Sequence, residues 1–456
     1  MEEFKGTRLF LYNLSTAGWV ILDTIWLTFA IAFLLPSQEK VAEGMIPFVS
    51  NQRFWGVITA LGAVMLFGRI VDAVADPLVA SWTDRSTSRW GRRRFFMLIG
   101  MLPLTLSTIL IFFPPVPHTS WLNGLYLALV FGSYFFFFTV YVVPYLALIP
   151  ELGHTEKVRI KITVAQGYFS LIGSAVVMIG GPLLITFFRT KGDYVVAYQQ
   201  TVIYLALIGA LLLVGAVGVV DEKRFSDAQP TNIPLKKSFK KTIKNKFFII
   251  YLLANIALWF LFNIVRSSLI PIVITLIGAD EAFASNMSTI LFVFAAFCFP
   301  LTSLLTKTWG KKRMMMIGLG LFSILSILLS LTGLVAVNPK IWGMTVAALM
   351  GFPAAILMVI PNVILSELCD FDYHQTGERR EAMYFGVQGF FMKLNLGLST
   401  ASLALLYSLF GKDISNPWGV RFAPILGSIV AIIGLFIMTK YPEEKISEEL
   451  SRNIEK

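Results

Sequence analysis

Three charged residues lie close together inside an otherwise apolar stretch of the sequence. The segment RIVDAVADP contains Arg69, Asp72 and Asp76, and it is flanked by FWGVITALGAVMLFG and LVASW. A charge in the middle of a membrane helix costs about 2.5–3.5 kcal/mol on insertion scales, so such residues usually have a charged partner or a function. The stretch is long enough to cross a bilayer, and its three charges therefore need an explanation.

The spacing of the two aspartates predicts an ion site. Asp72 and Asp76 are four residues apart, so both project from one face of a helix, and Arg69 lies on the same side. Two carboxylates so placed offer several oxygen atoms to a monovalent cation, or they share one proton, because two like charges at low dielectric favour uptake of a positive charge. The alternative is a structural ion pair in which Arg69 holds this helix against a neighbour.

The elements that must position these residues are membrane helices. The chain has 456 residues, a mean hydropathy of +0.73, 56% hydrophobic residues and only 14% charged residues, whereas about a quarter of the residues in a soluble domain are charged. Apolar segments of about 20 residues predict transmembrane helices. Twelve are predicted, at about 17–36, 55–81, 95–115, 121–149, 160–188, 197–220, 247–277, 283–306, 314–336, 342–367, 382–410 and 419–440.

A weak internal repeat indicates two halves. TDRSTSRWGRRR follows the second predicted helix and KTWGKKR follows the eighth, and both place basic residues after a tryptophan and a glycine. Two parallel six-helix halves are the plan of major facilitator transporters. We therefore predict an all-α integral membrane protein with an N-terminal six-helix bundle at 1–220, a cytoplasmic basic linker at 221–246, a C-terminal six-helix bundle at 247–440 and a cytoplasmic tail at 441–456.

The distribution of basic residues predicts the orientation. Lysines and arginines on the side that holds both termini outnumber those in the opposite loops by about four to one, which predicts cytoplasmic termini. This bias accounts for the net charge of +11 without a nucleic-acid partner. The basic half of the linker either is a solvated segment or lies on anionic lipid headgroups.

Other classes of protein receive no support from the sequence. The two cysteines, Cys298 and Cys369, cannot form a disulfide framework, and the three histidines are too scattered for a metal site. No nucleophile–base arrangement is recognisable, so we do not expect an enzyme or a cofactor.

Longer motifs around the aspartates resemble a known family. RIVDAVADPLVASWTDRSTSRWGRRRFF is similar to the signature of the glycoside–pentoside–hexuronide:cation symporters, which include the melibiose permease. VPYLALIPEL with TEKVR, and SELCDFDYHQTGERREAMYFGVQGFFMK, resemble two further motifs of that family in the same order. The resemblance spans nearly the whole chain. It implies a major facilitator fold, a monomer in a bacterial inner membrane, and symport of a small organic substrate, such as a sugar or glycoside, with H⁺ or Na⁺ by alternating access.

The resemblance also implies site residues. The cation site of the family corresponds to Asp72, Asp76 and a threonine of the fourth helix, Thr139. The melibiose permease has an asparagine where this chain has Ala75, so one oxygen ligand is absent and a proton is favoured over sodium. Most of its sugar-binding carboxylates have no match, whereas its pocket lysine matches Lys393. An amphiphile such as a lysolipid therefore stays an alternative substrate, and an uncoupled lipid-moving or scaffolding protein stays an alternative function.

Polar and aromatic residues inside the predicted helices, together with the family resemblance, give two sets of further candidates. The candidate substrate-binding residues are Lys393, Asp23, Arg266, Gln388, Trp19, Tyr145 and Gln166. The candidate charge-balance and gating residues are Arg69, Arg85, Arg89, Arg92, Asp370, Asp372, Arg379, Arg380 and Glu381. Charged residues at the ends of helices can form ion pairs that hold one of two conformational states.

Overall fold

The structure is a computed structural model that describes residues 4–36, 41, 45–50, 53–54, 58–190, 193–225 and 233–454. Its α-helices are α1 Thr7–Leu34, α2 Ala60–Arg85, α3 Arg92–Leu110, α4 Trp121–Leu152, α5 Glu156–Ala175, α6 Gly181–Arg189, α7 Tyr194–Val219, α8 Glu222–Phe225, α9 Leu235–Lys244, α10 Lys246–Ile272, α11 Glu281–Trp309, α12 Lys311–Ser330, α13 Pro339–Leu349, α14 Gly351–Thr376, α15 Glu381–Phe410, α16 Trp418–Thr439 and α17 Glu443–Ile454. Two π-helical turns, Val176–Gly180 and Val273–Ile277, interrupt or extend this series. Strands β1 Arg53–Phe54 and β2 Ile58–Thr59 pair antiparallel, with Arg53 opposite Thr59.

Eleven helical segments in the described part of the chain are long and apolar enough to cross a membrane. Helix α2 is not among them, because its 26 residues include Arg69, Asp72 and Asp76. Together with α2 they account for the twelve predicted segments, and the all-α membrane fold is confirmed. The predicted segment 342–367 is divided between α13 and α14, and the predicted segment 55–81 begins at residues 55–57, outside the described residues.

The chain divides into two compact units. The first contains Met1–Gly153 and Tyr168–Leu235, and the second contains His154–Gly167 and Lys236–Lys456. The beginning of α5 therefore belongs to the second unit by its contacts, although it precedes the linker in the sequence. Of the predicted linker, residues 226–232 lie outside the described residues, and its two ends form α8 and α9.

Small residues allow close helix packing inside each unit. In the first unit, a Cβ atom on Gly18 of α1 would lie 2.8 Å from the carbonyl oxygen of Gly209 in α7. In the second unit, a Cβ atom on Gly434 of α16 would lie 2.4 Å from the Cβ of Ala257 in α10. Such contacts are typical of membrane proteins, in which close backbone approach contributes van der Waals energy without a hydrophobic driving force between helices.

Candidate functional site

Glycines bring the two helices of the predicted ion site together. Helices α2 and α4 pack against each other in the first unit, where Gly68 of α2 lies against the ring of Phe135 and Gly132 of α4 lies against the ring of Phe67. A Cβ atom on Gly68 would come within 2.7 Å of Phe135, so a larger residue there would push the helices apart. This close contact places one face of α4 opposite the aspartates of α2.

Thr139 lies between the two aspartates. Its hydroxyl is 3.1 Å from Asp76 Oδ1, to which it donates, and 3.4 Å from Asp72 Oδ1. All three residues are buried, with at most 2% of their surface exposed. The oxygen atoms of two carboxylates and one hydroxyl therefore converge inside a membrane-spanning bundle. Ala75, also buried, adds no polar atom to this group.

Arg69 balances the charge on one side of this site. Its Nη1 lies 3.4 Å from Asp72 Oδ2, and its guanidinium carbon lies 4.9 Å from the ring centre of Phe135 and 5.6 Å from that of Trp26. Aromatic faces attract a cation through their quadrupole. The side chain is 37% exposed, so Arg69 contacts the ion site from its accessible side and does not fill it.

Asp23 lies in the same aromatic surroundings on α1. Its Oδ1 accepts hydrogen bonds from Trp26 Nε1 and from Tyr134 Oη, both at 3.0 Å. The neighbouring Trp19 is half-buried, packs edge-on against Phe138, and its indole N–H has no hydrogen-bond partner among the described residues. The first unit thus holds an acidic group and an unused donor close to one aromatic cluster.

The remaining substrate candidates differ in their surroundings. Tyr145 is fully buried and its hydroxyl donates to the carbonyl of Tyr12 at 3.1 Å, as expected for a packing residue. In the second unit, Gln166 is buried, and its amide nitrogen has no partner within the described ranges. Gln388 accepts a hydrogen bond from Tyr251. Lys393 follows on the same helix, α15, where it is half-buried.

Arg266 borders a small apolar cavity in the second unit. The cavity has a volume of about 60 Å³, and apart from Arg266 and Ser288 its lining is apolar, including Phe262, Met287 and Phe322. Within the part of the chain that the structure describes, no ion pair involves Arg266. An exposed arginine halfway along a membrane helix is costly unless it meets water or an anion.

A buried charge network lies at one end of the first unit. Arg93, which is fully buried, binds Asp84 at 2.7 Å and Glu151 at 3.0 Å, and Arg92 binds the same Glu151 oxygen at 2.8 Å. The predicted gating residues Arg85 and Arg89 are exposed, and the described residues give them no ion pair.

Glu222 completes this network from α8. Its carboxylate accepts hydrogen bonds from the backbone N–H groups of Arg92, Arg93 and Arg94 at 2.7–3.0 Å, and it thereby satisfies the free donors at the start of α3. Burial raises the pKa of Glu222, and the nearby charge of Glu151 adds to this effect, against the opposing effect of the backbone donors and arginines. The sequence analysis did not single out Glu222.

The second unit has a related but different network. Lys311 Nζ lies 2.9 Å from Glu367, 3.0 Å from Glu156 and 3.6 Å from Glu443. The carboxylate of Glu443 also accepts the backbone N–H groups of Lys311 and Lys312. None of these five residues was among the predicted site residues, although Lys311 follows the tryptophan and glycine of KTWGKKR, one of the two repeated turns.

The predicted gating residues of the second unit form ion pairs, one with a distant part of the chain and two within residues 372–381. Asp370 binds Arg159 of α5, and Asp372 binds Arg380 at 2.5 Å. Arg379 lies 3.6 Å from Glu381. All of these pairs lie within the second unit, which includes Arg159 because the start of α5 belongs to that unit.

Comparisons with known proteins identify relatives of the whole chain. It is 21% identical to the isoprimeverose transporter of Lactiplantibacillus pentosus over 92% of each chain, and 23% identical to the inner membrane symporter YicJ of Escherichia coli (strain K12) over 88% of each chain. Among solved structures it is similar to the transporter FucP in the outward conformation, with a TM-score of 0.66 at 12% identity over 94% of this chain and 98% of that one. It is also similar to the proton:xylose symporter XylE, with a TM-score of 0.64 at 16% identity over 98% of each chain.

These structural similarities show the major facilitator fold, as the sequence motifs predicted. The sequence profile described as "MFS/sugar transport protein" matches residues 56–442, which is most of the chain. Proteins of this superfamily are transporters, so the prediction that the chain is not an enzyme is confirmed, as is its multi-pass membrane character. The chain belongs to the MFS/sugar transport protein family.

Proposed function

We propose that this protein is a cation-coupled symporter that moves a sugar or glycoside across a membrane by alternating access. The observation that carries the proposal is the convergence of Thr139 with Asp72 and Asp76, beside the guanidinium of Arg69. Buried carboxylates close to each other favour the uptake of positive charge, which a bound proton or metal cation supplies. The related symporters named above support the same activity.

The coupling follows from this charge. With the site empty, the carboxylate pair opposes any state that removes it from water, because an isolated charge is costly at low dielectric. With a cation bound, that cost falls, and the state that binds or occludes substrate becomes accessible. Since coupling is reciprocal, substrate raises the affinity for the cation by the same factor.

We infer that a proton is the coupling ion. The described contacts bring together oxygen atoms of Asp72, Asp76 and Thr139, and the neighbouring Ala75, a position at which a polar side chain would add a ligand, contributes none. One carboxylate suffices to hold a proton, whereas sodium needs several oxygen ligands. Sodium, completed by water molecules, is the alternative that the transport experiment distinguishes.

The proposed substrate-binding residues are Asp23, Trp19, Gln166, Gln388, Lys393 and Arg266. They provide donors, an acidic group and one aromatic side chain, which suit hydroxyl groups and a sugar ring. We assign Tyr145 to packing, because its hydroxyl is already bonded in a fully buried site. An amphiphile is the second candidate, because the side chains around Arg266 are mostly apolar.

We further propose a monomer in a bacterial inner membrane, with both termini cytoplasmic and without a nucleic-acid partner. The excess of basic residues on the side of the termini supports this orientation.

Uptake into proteoliposomes tests the proposed function. Labelled sugars, glycosides and a lysolipid are supplied with an inward proton gradient, an inward sodium gradient or neither. We expect a sugar or glycoside to accumulate above its external concentration with the proton gradient only. Accumulation driven by sodium alone would replace the proton as the coupling ion, and equilibration that ignores both gradients would contradict symport.

A further inference from the structure

Helix α9 presents four lysines on one side. At 100° per residue they fall within an arc of about 100°, and all four are exposed. We call them the lysine face; its members are Lys236, Lys237, Lys240 and Lys244. The opposite side of the helix holds Ser238 and Thr242, which are buried. The helix therefore packs on the protein with one side and presents a purely cationic surface with the other.

The contacts of α9 fix this orientation. Phe239 packs edge-on against Phe390 of α15, and Lys241, at the border of the lysine face, holds both carboxylate oxygens of Glu378 at 2.7 Å. Immediately after the helix, the side chain of Asn245 accepts the backbone N–H of Phe247 and so caps α10. The ring contact, the salt bridge and the capped start of α10 together hold α9 in this orientation, with the four lysines of the lysine face pointing away from the protein.

The lysine face has no acidic partner in the described chain, in contrast to Lys241. Its four residues take part in no ion pair, although carboxylates neutralise basic residues elsewhere in the second unit, for example at Lys311 and Arg380. Four like charges on about two and a half turns repel one another, and an anion outside the protein would relieve that repulsion.

The lysine face also lies close to the membrane surface. Helix α10 crosses the membrane and begins at Lys246, two residues after Lys244. At 1.5 Å per residue, the far end of the face at Lys236 is about 15 Å from that point, whatever the tilt of α9. The Debye length at 0.1 M salt is about 10 Å. Lys240 and Lys244, at most about 9 Å from that point, therefore lie within the range of an anionic surface, and Lys236 and Lys237, at most about 15 Å away, lie at its edge.

We propose that the lysine face is a docking surface for the anionic phospholipid headgroups of the membrane that surrounds the protein. Ammonium groups donate charge-assisted hydrogen bonds to phosphate oxygens, and clusters of four or more basic residues beside a transmembrane helix bind acidic lipids. Because the four lysines already lie on one side of a formed helix, binding does not have to order the backbone. This role is separate from the proposed transport site, since none of the ion-site or substrate candidates lies on α9.

Lipid retention by the full-length protein tests the proposal. The protein is purified in a neutral detergent containing equal amounts of phosphatidylglycerol and phosphatidylcholine with the same acyl chains, and native mass spectrometry measures which lipid stays bound. We expect the wild type to prefer phosphatidylglycerol, and we expect replacement of all four lysines by glutamine to reduce that preference at least about tenfold. Replacement of all four by arginine keeps the charge and should keep the preference.

A matched control removes four positive charges from exposed lysines outside α9. Lys157, Lys161, Lys307 and Lys440 are exposed, and their joint replacement by glutamine should leave the lipid preference unchanged. An equal loss in this control would show that net charge alone attracts the lipid and would overturn the proposal. An unchanged preference in the glutamine variant of the lysine face would also overturn the proposal. Displacement of the lipid by soluble glycerol phosphate at matched concentration would overturn it too, because the face would then bind free phosphate compounds.

Discussion

The turns at Gly91 and Gly310 are the two in which basic residues follow a tryptophan and a glycine. They share a backbone conformation but differ in their charge networks. Gly91 and Gly310 both have a positive φ, of 98° and 82°. In both, a glutamate that follows the last membrane helix of its unit accepts the first backbone N–H groups of the next helix: Glu222 in the first unit and Glu443 in the second. What the two turns share is therefore a property of the repeated fold.

The difference lies in the helix that leads into each turn. Helix α2 carries Asp72 and Asp76, whereas the positions at the same distances before Gly310 in α11 are Leu291 and Ala295. A repeat needs no carboxylates at these positions to fold, since the second unit has none. The aspartates of the first unit are thus better explained by function than by architecture.

The largest effect that would sharpen this comparison is expected at Arg93. Replacement by alanine removes an ion-pair partner from buried Asp84 and one of the two arginines that bind Glu151, and the loss of one partner from a buried network costs about 3–5 kcal/mol. The equivalent residue of the second turn is Lys312, which is half-buried and has no ion pair in the described chain. We expect Lys312→Ala to change the free energy of unfolding by no more than about 0.5 kcal/mol. Unfolding in SDS micelles measures both variants, and similar losses would refute the asymmetry.

A smaller effect is expected at the two glycines. Alanine at a positive φ costs about 1–3 kcal/mol, and this applies to both Gly91→Ala and Gly310→Ala. The new Cβ would lie 2.5 Å from Glu222 Oε1 in the first turn and 2.9 Å from Glu443 Oε2 in the second. Gly91→Ala should therefore destabilise more than Gly310→Ala in the same unfolding experiment. A larger loss of stability for Gly310→Ala than for Gly91→Ala would contradict this explanation, because the distances to the two glutamates predict the opposite order.

The smallest effect concerns the pH dependence of the first turn. Because burial and Glu151 raise the pKa of Glu222, its protonated form is favoured more in the folded than in the unfolded chain. Its stabilising contribution is present at low pH and is lost as the pH rises through the raised pKa. We expect the stability of Glu222→Gln relative to the wild type to increase as the pH rises from the ordinary carboxyl range towards neutrality. Parallel stability curves for the two proteins would contradict this assignment.

Local patterns in the sequence predicted the fold and part of the site. Hydrophobic length predicted the membrane helices, because crossing a bilayer requires a long apolar run whatever the tertiary structure. The four-residue spacing of Asp72 and Asp76 predicted their shared face, because helix periodicity is local. Thr139 could be added only through the family resemblance, since which residues of α4 face α2 depends on close contacts at Gly68 and Gly132.

The residues that were missed depend on long-range packing. Glu222 and Glu443 lie far along the chain from the turns they bind. The residues next to them in the sequence do not distinguish them from solvent-exposed glutamates. Their common position after the sixth and twelfth membrane helices was the available signal. Arg159 and Lys311 are not distinguished from the other basic residues by the sequence pattern, yet they form ion pairs with Asp370 and Glu367.

The central claim is that Asp72, Asp76 and Thr139 bind the coupling ion, and its most direct test separates coupled from uncoupled transport in Asp76→Ala. Proteoliposomes are assayed for accumulation driven by a cation gradient and for exchange of labelled against unlabelled substrate with no gradient. We predict that accumulation falls by on the order of 100-fold, while exchange continues, because the substrate-binding residues are intact. Gradient-driven accumulation by Asp76→Ala at the wild-type level would contradict the account.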